Sequence, residues 1–166
     1  MIRPVNRLDR DTSGVVVFAK SEYIHACLAK QMKSGLFRKE YTAVLNGILE
    51  SDKGTIDAPI ARKEGSIIQR CVSESGQPSI THFEVLKRLT DSSLVQFTLE
   101  TGRTHQIRVH SSHIGHPIIG DTLYGFSSNL ISRQALHSHK ISFIHPITKK
   151  HIEHAASLPD DILNIL

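Results

Sequence analysis

Two carboxylates and two arginines share one short polar stretch near the start of the chain: Asn6-Arg7-Leu8-Asp9-Arg10-Asp11-Thr12-Ser13-Gly14. It runs into Gly14-Val15-Val16-Val17-Phe18-Ala19, a short β-branched apolar run that reads as a buried strand. A carboxylate at the entrance to such a strand is held firmly, and a guanidinium close to it keeps it ionised. The same residues would also serve as a salt-bridged turn with no chemistry.

A second stretch, Leu99-Glu100-Thr101-Gly102-Arg103-Thr104-His105-Gln106-Ile107-Arg108-Val109-His110, crowds arginines and histidines onto a turn that opens a helix. Helix starts and arginine forks bind phosphate or carboxylate. Helical spacing puts Thr104, Arg108 and Ser111 on one face and Ile107, His110 and Ile114 on another. An exposed basic helix start fits the pattern as well.

Nine of the eleven histidines fall from His105 onward, and His110, His113 and His116 recur every three residues, which raises zinc. The set lacks a nearby cysteine pair and any His-Glu-x-x-His arrangement, and Gly115 ends the helix before His116 can share its face. Capping, surface and hydrogen-bonded roles are expected instead, and no metal. The loop Gly115-His116-Pro117-Ile118-Ile119-Gly120-Asp121-Thr122-Leu123-Tyr124-Gly125 is shaped by three glycines and a proline. It lacks the spacing and lysine of a phosphate-cradling loop.

The elements that must position these groups follow from periodicity. Ser21 is an N-cap for a helix over 22–33, with Ile24, Cys27, Leu28 and Met32 on one face and Gly35 as its stop. Lys39 to Gly47 alternates as a strand. Weaker strands are expected over 54–60 and 67–72. Residues 79–89 and 94–99 make a hairpin about Thr90-Asp91-Ser92-Ser93. Thr104 caps a short helix over 105–114. Residues 140–144 and 151–155 close as an antiparallel pair around His145-Pro146, and 158–166 is a short last helix. The pattern predicts an α+β domain, spanning 1–166, around a largely antiparallel sheet.

The 166 residues fit one domain. A formal charge of +4 and a pI near 9.2 mildly favour a polyanionic partner. Cys27 and Cys71 sit in ordinary apolar contexts and suggest no disulfide framework. No apolar run is long enough to span a membrane, and the first residues lack a signal-peptide pattern. A soluble, cytoplasmic protein is expected.

Taken in order, these segments resemble the RluA-like family of RNA pseudouridine synthases. Arg7 to Gly14 resembles the family's catalytic signature, and Lys39-Glu40-Tyr41-Thr42-Ala43-Val44 its tyrosine-bearing strand. Thr101 to His110, with Gly115-His116-Pro117-Ile118 and Gly120-Asp121, resembles the third motif. Leu136-His137 and Phe143-Ile144-His145-Pro146 match the closing strands.

The resemblance implies the pseudouridine synthase catalytic fold, a mixed and largely antiparallel sheet with flanking helices. It implies isomerisation of uridine in structured ribosomal or transfer RNA, with Asp9 as the essential carboxylate. Arg108 would pair with Asp9, and Tyr41 would stack on the target base. Arg7 would fill the space the base leaves, and Arg103 and Lys39 would bind phosphate. No metal or organic cofactor is implied, and a monomer is expected. Two departures stand out. Asn6 occupies the place of the family's histidine, and the chain starts almost on the catalytic loop, as if the usual N-terminal segment were lacking. These leave a second reading open, an RNA-binding fragment of such an enzyme without turnover.

Overall fold

The computed structural model describes residues 2–166. In chain order the first elements are β1 (Arg3–Pro4), β2 (Ser13–Gly14), β3 (Phe18–Ala19), α1 (Glu22–Lys33) and β4 (Arg38–Asn46). Then come β5 (Lys53–Asp57), β6 (Ile60–Arg62), β7 (Arg70–Val72), β8 (Ile80–Arg88) and β9 (Ser92–Leu99). The last are α2 (Gln106–His113), β10 (Leu136–Ile144), β11 (His151–Ala155) and α3 (Asp160–Leu163).

Seven strands form one sheet in the order β11-β10-β4-β9-β8-β5, with β2 beside β10. The β2–β10 pairing is parallel, and the other pairings in this sheet are antiparallel. The expected α+β architecture with a mixed, largely antiparallel sheet is therefore present. β6 and β7 make a separate hairpin, and β1 pairs with β3.

β4 is the central strand because both of its faces are apolar or small. Tyr41, Thr42, Ala43, Val44 and Leu45 are all buried, so it needs cover on both sides. Tyr41, Ala43, Val44 and Leu45, from both faces, join a core with Val95, Phe97, Ile107, Ile118 and Leu136. The second core, Val5, Ala19, Leu28, Phe37, Ile141 and Phe143, lies under α1. α1 starts where Ser21 accepts a hydrogen bond from the Ile24 N–H at 3.3 Å. Its Leu28 is fully buried, and truncation to alanine there would cost about 2–5 kcal/mol. Gln31 fastens the helix to β10, donating to the Ile144 carbonyl at 2.6 Å and accepting from its N–H at 2.9 Å.

Three expectations are corrected. The apolar run 14–19 is not one buried strand: β2 and β3 take its two ends, Val15 to Val17 are half-buried, and Phe18 is exposed. Its ends bond to different neighbours, β10 and β1. Residues 54–60 divide between β5 and β6, which belong to different sheets, and Ile67 and Ile68 lie outside strand in the hairpin tip. Thr104 does not cap α2. That position falls to His105, in the left-handed conformation with φ 58°, and no side chain caps the helix.

Candidate active site

Asp9 lies in the loop between β1 and β2, and the rest of the fold clamps that loop. Asn6 is buried at its start, donating to the Val15 carbonyl at 3.2 Å and accepting from the Val17 N–H at 2.8 Å. Arg133 reaches the Asp11 carbonyl at 3.1 Å and the Ser13 hydroxyl at 3.2 Å while its fork holds Asp161 at 2.7 and 2.9 Å. Gln134 donates to the Arg10 carbonyl and to Thr12 Oγ1. At the loop's exit Gly14 has φ 122°, and a Cβ there would sit 2.2 Å from the Ser138 carbonyl oxygen. Only glycine permits this approach to β10.

Asp9, half-buried, faces a cleft of about 220 Å³. Tyr41 of β4, Arg7, Lys39, Arg103 and Gln106 line the same cleft. Five of the six residues expected from sequence thus share one concavity, and Arg108 is the sixth. The hydroxyl of Tyr41 is pushed up to about 12 by burial first and by the nearby charge of Asp9, against the pull of Ser138. It is therefore a protonated donor at neutral pH. Lys39 has its pKa lowered by burial. Arg7, exposed, donates to Thr104 Oγ1 at 2.7 Å. Arg103 donates to the Pro78 carbonyl at 3.1 Å. Gln106 shapes the turn between β9 and α2, accepting from the Arg103 N–H and from Thr101 Oγ1, both at 2.9 Å.

The expected Asp9–Arg108 pairing is corrected. The Arg108 fork grips Asp121 in a bidentate pair at 2.6 and 2.7 Å. Asp121 is fully buried and also accepts the N–H groups of Leu123 and Tyr124 at 3.0 and 3.2 Å. Among the described residues no cation forms an ion pair with Asp9. Burial alone would lower the pKa of Arg108. Asp121 reverses that, with smaller help from Asp9 and Tyr124, and the net shift is upward. Arg108 thus acts on Asp9 through its field while its hydrogen bonds go elsewhere.

Sequence reasoning missed the support around Arg108. The Tyr124 ring lies 5.1 Å from the guanidinium carbon, a cation–π contact. The Tyr124 hydroxyl accepts from the Arg70 backbone N–H at 2.9 Å and shares a hydrogen bond with His105 Nδ1 at 2.7 Å. Burial, the largest influence, lowers the pKa of His105, which favours a neutral ring. Asp121 was matched to the third motif without a role, and Tyr124 lay in the same glycine-shaped loop with none. Their signal was an acid and an aromatic, three residues apart, in a glycine-bounded turn. Among the described residues no three histidine, cysteine or acidic side chains converge on a metal-sized site. Both nitrogens of buried His110 are occupied, Nδ1 by Thr81 Oγ1 at 2.8 Å and Nε2 by the Ala58 carbonyl at 2.9 Å.

The cleft thus brings a carboxylate and a buried tyrosine together with three cations, Arg7, Lys39 and Arg103, that form no ion pair among the described residues. The chain belongs to the RNA pseudouridylate synthase family, whose model matches residues 1–113. It is 49% identical over 162 residues to the uncharacterized RNA pseudouridine synthase YjbO of Bacillus subtilis (strain 168), covering 98% of this chain and 57% of that protein. It is 39% identical over 169 residues to ribosomal large subunit pseudouridine synthase D of Zymomonas mobilis, covering 95% and 53% respectively. The chain therefore spans about half the length of these curated relatives. Its fold matches the solved structure of human RNA pseudouridylate synthase domain containing 1. The TM-score is 0.82 at 29% identity, over 95% of this chain and 69% of that one.

Proposed function

We propose that this chain is the catalytic unit of a pseudouridine synthase that isomerises uridine in ribosomal or transfer RNA, with Asp9 as its essential carboxylate. The observation that carries the reading is that Asp9 and Tyr41 share a cleft with Arg7, Lys39 and Arg103. The reaction breaks the N1–C1′ bond of uridine and makes a C5–C1′ bond. C5 gives up a proton and N1 gains one, so the atoms balance without oxidant, metal or organic cofactor.

Asp9 supplies the charged oxygen, as nucleophile or as base. Arg108 supplies a fixed positive field, immobilised by Asp121. The Tyr41 ring packs against the base, and its protonated hydroxyl stands near the reacting centre. A stacked uridine must swing out to reach Asp9, which costs a few kcal/mol. Arg7, exposed at the rim, offers a planar head to fill the gap. Arg103 and Lys39 face the backbone phosphates. With an RNA substrate and two free cysteines, a monomer in the cytoplasm fits the reading.

The test is to incubate the purified chain with unmodified ribosomal and transfer RNA transcripts and map pseudouridine by chemical tagging and primer extension. The parent chain should form pseudouridine. Asp9→Asn should form none while still binding RNA. Turnover by Asp9→Asn would remove Asp9 from the chemistry. Binding without turnover by the parent chain would favour the inactive RNA-binding reading.

A further inference from the structure

Beside the cleft lies a second concavity, of about 440 Å³, between the β6–β7 hairpin and the turn before α2. Arg62, Arg70 and Arg103 all line it, together with Thr104 and Gly102. Arg62 and Arg70 are directly opposed across the hairpin. Like charges in that relation destabilise a strand pair. Nothing in the surroundings neutralises them: among the described residues none of the three arginines forms an ion pair with a carboxylate. The arginine heads bond only to carbonyl oxygens, Arg70 to Gln69 at 3.1 Å and Arg103 to Pro78 at 3.1 Å, which leaves donors spare.

The concavity adjoins the site. Gly102 and Arg103 line both hollows, and Arg7 reaches out of the cleft to Thr104, on the wall of the second. At the hairpin tip Ile67 and Ile68 are 83% and 60% exposed.

We propose that Arg62, Arg70 and Arg103 form a phosphodiester subsite that holds the RNA backbone next to the nucleotide bound in the cleft. The β6–β7 hairpin lies along the strand, with Ile67 and Ile68 against its sugars and bases. Planar guanidinium forks suit phosphate oxygens better than ammonium heads would. The proposal rests on the RNA-modifying reading of the adjacent cleft.

The experiment measures binding of a labelled, uridine-rich single-stranded RNA to the full chain over a range of salt. The variants are Arg62→Ala/Arg70→Ala and a control, Lys149→Ala/Lys150→Ala, which removes two charges from the β10–β11 turn and lines neither hollow. Losing two phosphate contacts should flatten the slope of log K against log salt by about 1.4 and weaken binding roughly tenfold near physiological salt. The control should keep the parent slope. If the arginine double variant does not fold, Arg62→Gln and Arg70→Gln singly should each flatten the slope by about 0.7. An unchanged slope in the arginine variants, or an equal loss in the control, overturns the subsite.

Pseudouridine formation, measured alongside, separates the two readings. A parent chain that modifies RNA but shows no arginine effect refutes the subsite alone. A flattened slope in a chain with no turnover supports the subsite and refutes the enzymatic reading. No RNA binding by the parent refutes both.

Discussion

Asp121→Asn tests the reassigned partner of Arg108. Asp121 is fully buried and Arg108 nearly so, with 0% and 8% of their side chains exposed. Asparagine has nearly the same shape, and its amide oxygen can still accept the N–H groups of Leu123 and Tyr124. Those backbone bonds survive. What is lost is the negative charge, and an amide NH₂ now faces the Arg108 Nε–H, donor against donor. The guanidinium is left buried with one neutral hydrogen bond, from Nη2 to the amide oxygen, and the Tyr124 ring in contact, and no carboxylate closer than Asp9 in its field.

Removing one partner of a buried pair costs about 3–5 kcal/mol, much of a domain's net stability of about 5–15 kcal/mol. For a chain of this size that lowers Tm by about 6–20 °C. The assay is thermal unfolding by circular dichroism. Adding Arg108→Met should recover part of the loss, because it removes the unpaired charge, so the double variant should be more stable than the sum of the singles. A Tm for Asp121→Asn within about 2 °C of the parent, or strict additivity in the cycle, would refute the pairing as the anchor of Arg108.

Other expectations concern the loop, the rim and the buried histidines. Gly14→Ala should strain the loop exit by about 1–3 kcal/mol and displace Asp9, so turnover falls more steeply than Tm. Parent turnover in Gly14→Ala would show that the β2–β10 approach does not set Asp9. Arg7→Ala should slow modification of structured RNA more than of a flexible oligonucleotide, and equal losses on both argue against gap filling. Burial depresses the pKa of His110 and His137 below the usual value near 6.5. The unfolded chain then binds more protons, so their contribution is complete above pH 6.5 and is lost as pH falls below it. Urea midpoints should drop between pH 7.5 and 5.5, less so in His110→Gln, and a flat profile would contradict the depressed values.

The legibility of the site divides along a physical line. The N-cap at Ser21, the 22–33 helix and the 80–99 hairpin rest on local capping and alternation, and all are present. Asp9, Tyr41, Arg7, Lys39 and Arg103 were found through motif order, and the fold gathers them in one cleft. Thr104 shows the limit of local rules. It has the chemistry of a cap, but its hydroxyl accepts from Arg7, 97 residues away in sequence.

By itself, then, the sequence determined most of the element types and the family, and it picked out the residues proposed to do chemistry, because these depend on side-chain identity and near spacing. Tertiary structure alone decided whom each charge meets. Arg108 has two carboxylates in reach of its field. It bonds the one that the backbone N–H groups of Leu123 and Tyr124 also hold in place, and no local pattern encodes that choice. The same holds for Arg62 and Arg70, ordinary charges in the sequence that become a paired cationic wall once the β6–β7 register sets them opposite each other.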